Sequence, residues 1–189
     1  VALIAGLYFG AAKVGLIAAV AHGVVSSAWP PAGLALAALI LYGVRYWPGI
    51  TIGAVLLNAL TGVPLAGAVA IGAGNTLEAV AGALLLTRVA RFRPSLERLK
   101  DVLALVVLAA MLSTAISATV GVTSLWLSGA VGSGSLGPLW GVWWSGDTIG
   151  VLVVAPVILT WMAAPRGRVS LPRAVEALAL FLILVFLTH

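Results

Sequence analysis

In the stretch Gly74–Gly82, GNTLEAVAG, a carboxamide (Asn75) and a carboxylate (Glu78) stand where hydrocarbon is expected. The surrounding run, Pro64 to Arg88, holds no other charged residue before Arg88. The i, i+3 spacing puts both groups on one face of a helix. That face continues through Ala68, Gly72, Ala79 and Gly82, all small enough for a neighbouring helix to approach closely. The pattern predicts an inward-facing helix surface with a polar spot, the rest of the chain being packed around it. Two more charges fall inside apolar runs, Lys13 and Asp147. A lone charge at the centre of a bilayer costs at least about 2.5–3.5 kcal/mol. At a rise of ~1.5 Å per residue, Lys13 and Asp147 each lie roughly 13 Å from the same surface. Equal depth and opposite charge predict a buried Lys13–Asp147 ion pair. Glu78 joins that pair or holds a proton.

Trp140, Trp143, Trp144 and Asp147 recur at i, i+3, i+4 and i+7, which is one helix face. Rings above a carboxylate can wall a ligand pocket; they can equally form an aromatic belt at the membrane surface. Candidate ligand-binding residues are therefore Asn58, Asn75, Glu78, Trp140, Trp144 and Asp147. Their chemistry admits a cation at the carboxylates, an anion at Lys13, or a neutral aromatic or lipid-like molecule on the tryptophans. The plainer alternative is interhelical hydrogen bonding alone. Ser113, Ser117 and Ser124 read as packing hydroxyls, and His22 as a surface histidine. No nucleophile–base set, phosphate-cradling glycine loop or His/Cys cluster occurs in the sequence, so no catalytic residue, metal site or cofactor is expected.

The elements that must position these residues follow from composition. Of 189 residues 62% are hydrophobic and 8% are charged, against about 25% charged in a soluble domain. Mean hydropathy is +1.20. A chain of this kind belongs in lipid, where every backbone polar group must be bonded internally. Long apolar runs without alternation favour helices over a barrel. The expected fold is an all-α, integral-membrane, polytopic helical bundle. The absence of cysteine leaves no thiolate site and says nothing of redox compartment.

Seven apolar runs can be traced: Val1–Ala21, a second from Trp29-Pro30-Pro31 to Gly43, Ile50–Leu60, Leu65–Arg88, Val102 to about Leu127, Pro138–Ala164, and Ala174–His189. The third is short for a span of about 20 residues, and the second and third could form a re-entrant hairpin. Of the ten basic residues, Arg45 follows run two; Arg88, Arg91, Arg93, Arg98 and Lys100 follow run four; Arg166, Arg168 and Arg173 follow run six. The connections after runs one, three and five carry none. This alternation matches the positive-inside rule and predicts a cytoplasmic N-terminus in a multi-pass plasma-membrane protein. The net charge of +5 thus argues for membrane orientation and anionic lipid, not for nucleic acid.

Three segments, WPPAGLALAALILYGVRYWPG (Trp29–Gly49), GNTLEA (Gly74–Ala79) and WWSGDTIGVLVVAPVIL (Trp143–Leu159), together resemble the MASE1 domain, in order and spacing, and the resemblance spans nearly the whole chain. MASE1 domains are bacterial integral-membrane sensor modules, described as having eight helices. They precede histidine kinase, diguanylate cyclase or cyclic-di-GMP phosphodiesterase outputs. The resemblance implies motif positions at Trp29, Pro30, Pro31, Gly33, Gly43, Arg45, Pro48, Asn58, Asn75, Glu78, Trp144, Gly146, Asp147 and Pro156. It also implies that residues 1–189 are one sensor domain, with the natural start and a last helix missing. With seven runs the chain would end outside, and an eighth would return it to a cytoplasmic output.

The expected function is then a membrane-embedded input domain that detects a periplasmic or membrane-borne signal, such as a small-molecule or lipid-like ligand. It would regulate a C-terminal signalling enzyme, as a homodimer through the full-length protein, in the bacterial inner membrane. The segment itself is not expected to be an enzyme. The alternative is a small membrane transporter or substrate-capture subunit, to which size and composition are equally suited.

Overall fold

The structure, a computed structural model, describes residues 1–21 and 28–163, apart from the side chains of 18–21. Helix α1 covers Ala2–Ala21, and α2 covers Pro30–Tyr42 with its prolines in the first turn, where no intrahelical N–H is needed. At Gly43 the backbone takes φ 100°, a left-handed conformation that favours glycine, and the chain reverses through a short 3-10 turn, Val44–Tyr46. Helix α3 covers Trp47–Leu60 and α4 covers Leu65–Leu84, continued by a wider π-type turn, Leu85–Val89. A continuous helix, Leu99–Leu127, begins as α5 (Leu99–Ala104), widens into π-type turns over Leu105–Ser113, and ends as α6 (Thr114–Leu127). Helix α7 covers Leu136–Ala163.

All regular elements among the described residues are helical, as an apolar solvent requires. Three helices are long and apolar enough to cross a membrane: Leu65–Val89, Leu99–Leu127 and Ser133–Ala163. Helix α2 and the apolar part of α1, Ala2–Ile17, are shorter. The expected count of about seven transmembrane helices is therefore not reached among the described residues. The third run gains a turn, since its helix starts at Trp47 and not Ile50. Runs two and three remain 13 and 14 residues long, two half-length helices, α2 packed on α7 and α3 on α1 and α4. The seventh run, the basic segment Arg166–Arg173 and His22 lie outside the described residues.

Glycines set the packing. Gly49 lies on the Val1 carbonyl and Ile4, and Gly53 on the Ala5 carbonyl and Tyr8, so α1 and α3 run in the same direction at close range. Gly72 of α4 meets Val55 of α3, and Thr51 bonds Thr76 at 2.8 Å, so that pair is antiparallel. Gly74 and Gly82 meet Val120 and Ser113 respectively, which makes the continuous helix antiparallel to α4. Gly33 and Gly150 bring the backbones of α2 and α7 into contact, and the Trp29 N–H donates to the Gly146 carbonyl at 2.8 Å. Helix α4 is the central one: 56% of its most apolar stretch is buried, against 39% and 33% for the other two long helices.

These directions gather Arg45, Arg88, Arg91, Arg93, Arg98 and Lys100 at one end of the bundle. The α3–α4 turn and the Ser128–Ser135 connection, both without Lys or Arg, lie at the other. At the basic end Arg98 grips buried Asp101 through both oxygens, at 2.6 and 2.8 Å, and donates to the Arg91 carbonyl. That pair is the one ion pair among the described residues.

Candidate ligand-binding cavity

Asn75 is buried on the central helix and makes two side-chain bonds there. Its Nδ2 donates to Tyr8 Oη of α1 at 2.9 Å, and its Oδ1 accepts from Ser117 Oγ of α6 at 2.7 Å. Trp143 Nε1 of α7 donates to the same Ser117 Oγ at 3.2 Å. The Trp29 indole reaches the Tyr8 hydroxyl from the start of α2. One polar network thus ties four helices and the α2 N-terminus together, centred where the sequence places a polar spot. Glu78, one turn further along α4, is 3% exposed and faces Asp147 of α7, which is 1% exposed. Ser117 lies beside both carboxyl groups, but its hydroxyl proton is directed to Asn75. One oxygen of Asp147, Oδ2, is buried with no hydrogen-bond partner.

That oxygen belongs to a residue lining a cavity of about 340 Å³, within the usual range for small-molecule sites. Trp29, Trp143, Leu139, Val142, Leu16 and Ile71 form its apolar walls; Asn58, Asn75 and Asp147 supply its polar groups. These positions fall in the half of the bundle nearer the end without basic residues. Asn58 bonds the Ala54 carbonyl through Nδ2 at 2.9 Å, which leaves its amide oxygen available to the cavity side.

Of the six candidate ligand-binding residues, the structure brings Asn58, Asn75 and Asp147 to this cavity, with Glu78 packed against Asp147. Trp140 and Trp144 are elsewhere. They stack on each other, with ring centroids 5.8 Å apart and planes at 13°, and bond Thr119 Oγ1 and the Met111 carbonyl along the α6–α7 seam. A face spanning i to i+7 is wide enough to be divided. Trp143 and Asp147 share its inner side, whereas Trp140 and Trp144 share the other. The expected Lys13–Asp147 ion pair does not form. Lys13 is exposed and lies over the Phe9 ring, with Nζ 5.5 Å from the centroid. Depth was matched, but direction was not. Lys13 is five residues beyond core-facing Tyr8, which turns it about 140° around α1.

Ser113 and Ser124 bond carbonyls of their own helix, at Ala109 and Val120. Ser117 instead joins the central network. Tyr8 and Ser117 had no distinguishing signal as site residues, because hydroxyls are ordinary in membrane helices, and Trp29 was marked only by the family resemblance. Trp143 could have been separated from its neighbours by its i, i+4 spacing to Asp147. No group of three or more His, Cys, Asp or Glu side chains that could hold a metal occurs among the described residues.

The MASE1 family profile matches residues 1–189. The chain belongs to the MASE1 family. MASE1 is a family of membrane-associated sensory domains, and with helices able to cross a bilayer this supports a multi-pass membrane protein with a sensory, non-catalytic role. No curated protein and no solved structure matches the chain.

Proposed function

We propose that this MASE1 domain is a ligand-gated input module. Its cavity takes up a signal molecule from the periplasm or the outer leaflet, and the change in helix packing regulates a cytoplasmic enzyme, a histidine kinase or a cyclic-di-GMP enzyme, borne by the same polypeptide in a homodimer. The observation that carries this reading is the cavity with a buried, unpartnered carboxylate oxygen on its wall, adjoining a network that links four helices. A ligand shifts a packing equilibrium only through different affinities for its two states. A molecule that touches Asn75 and Asp147 contacts the groups that join α1, α4, α6 and α7, so its binding and their packing are coupled. The basic end is the cytoplasmic one by the positive-inside rule. The cavity then faces the periplasmic half of the bilayer, in the bacterial inner membrane.

Native mass spectrometry of the detergent-purified protein, beside its Glu78→Gln/Asp147→Asn variant, tests the reading. The expected result is a small molecule retained by the first and lost by the second. The same double substitution in the full-length signalling protein is expected to abolish the response of its output. No adduct on either protein, together with unaltered output regulation, would overturn it.

A further inference from the structure

The cavity wall carries a specific electrostatic demand. Glu78 and Asp147 face each other at 3% and 1% exposure, and among the described residues no cationic side chain adjoins them. Lys13, the one basic residue near this depth among the described residues, is exposed on another face of α1. Two buried carboxyl groups in contact hold at least one proton between them, and a cation beside them is what stabilises the ionised form of the other. The available donors are already engaged: Ser117 Oγ–H and the Trp143 N–H belong to the Asn75 network, and Asn75 Nδ2 is taken by Tyr8. Asp147 Oδ2 is left buried, without a partner, on a residue that lines the cavity. An uncompensated acceptor in hydrocarbon is costly, and a cation from outside the chain is the species that satisfies both the charge and the empty lone pair.

The rest of the cavity says which cation. A metal ion wants several oxygen ligands, but among the described residues the cavity side offers only the two carboxyl groups and the Asn58 amide oxygen, that of Asn75 being occupied. The walls are instead the indoles of Trp29 and Trp143 with aliphatic side chains. Indole faces attract ammonium groups and tolerate an apolar body beside them. We infer that the cavity binds a small organic ammonium ion, its charged head on Asp147 beside Glu78 and its apolar body between Trp29 and Trp143. This inference rests on the proposed sensing role of the same cavity and narrows its ligand class.

The test is isothermal titration of the purified protein in nanodiscs with 2-phenylethylammonium chloride and tetraethylammonium chloride, and with 2-phenylethanol as the neutral counterpart. Saturable binding of at least one ammonium ion is expected, at least about 30-fold tighter than the alcohol. Asp147→Asn is expected to remove that advantage, and the surface substitution Glu97→Gln to leave it intact. If Asp147→Asn does not fold, the ammonium–alcohol comparison on the unaltered chain decides alone. Equal affinity for alcohol and ammonium would overturn the inference while leaving a ligand-binding cavity in place. Binding of neither ammonium ion would also overturn it. In that case, a molecule retained in native mass spectrometry would preserve the sensing role, and its absence would remove both.

Discussion

Asn75 is the residue on which the polar interior turns, because both ends of its amide are engaged by different helices. Asn75→Leu is expected to lower stability by about 1–2 kcal/mol, as the Tyr8 and Ser117 hydroxyls lose their partner, with interhelical bonds of this kind worth roughly 0.6 kcal/mol each and more when a group is left unsatisfied. Equilibrium unfolding in mixed micelles measures this, and an unchanged midpoint would show the network to be dispensable. Gly150 carries a different demand. A methyl group there would run into the Trp29 carbonyl, on the tightest seam between α2 and α7. Gly150→Ala is expected to cost about 1–3 kcal/mol through overpacking, read as a lower midpoint in the same assay. Asn75 and Glu78 were legible in the sequence because a polar group inside an apolar run has few innocent explanations. The partnership of Lys13 with Asp147 was misread for a plain reason: a run of residues reports depth, whereas pairing also needs azimuth, and that depends on which neighbours a helix has.

At the scale of elements, the widened turns of Leu105–Ser113 leave backbone carbonyls that helix α7 uses. The Ala110 carbonyl accepts from Thr148 Oγ1 at 2.7 Å as well as from Thr114, and the Met111 carbonyl accepts from Trp144 Nε1 at 2.9 Å. Side chains of one helix thereby compensate the irregular backbone of another, as an apolar solvent demands. Thr148→Val combined with Trp144→Phe is expected to destabilise by about 1 kcal/mol, the sum of two interhelical bonds. A double-mutant cycle checks it, and additivity of the two losses is expected, because the bonds go to different carbonyls. Where the helices lie was largely legible: runs four, five and six begin and end within a few residues of the elements found. Their apolar stretches and flanking prolines carry that information. The widened turns were not legible, since LVVLAAMLS would be as content in an ordinary α-helix and takes its form from the groups that α7 presents.

For the whole molecule, segregation of charge is the dominant feature among the described residues, and the gathering of six Lys and Arg residues at one end was readable from their positions in the sequence. The chain has no cysteine, so single introduced thiols report sidedness cleanly. Ser133→Cys is expected to react with a membrane-impermeant maleimide in spheroplasts, and Glu97→Cys only after lysis; the reverse pattern would invert the orientation. The shape of the bundle was less legible, because whether a short run is a span or half of a hairpin depends on its neighbours. That uncertainty resolves into a physical property. Helix α3 turns Ile52, Leu56 and Leu60 outward, 46%, 50% and 68% exposed, yet at 14 residues it is only about 21 Å long, against roughly 30 Å of hydrocarbon. The lipid beside this flank must thin, or the bundle must lean, and each ångström of mismatch carries a small energetic cost. The domain is thus expected to be more stable in short-chain dimyristoleoyl than in long-chain dierucoyl phosphatidylcholine, with thermal unfolding in the two lipids as the measurement.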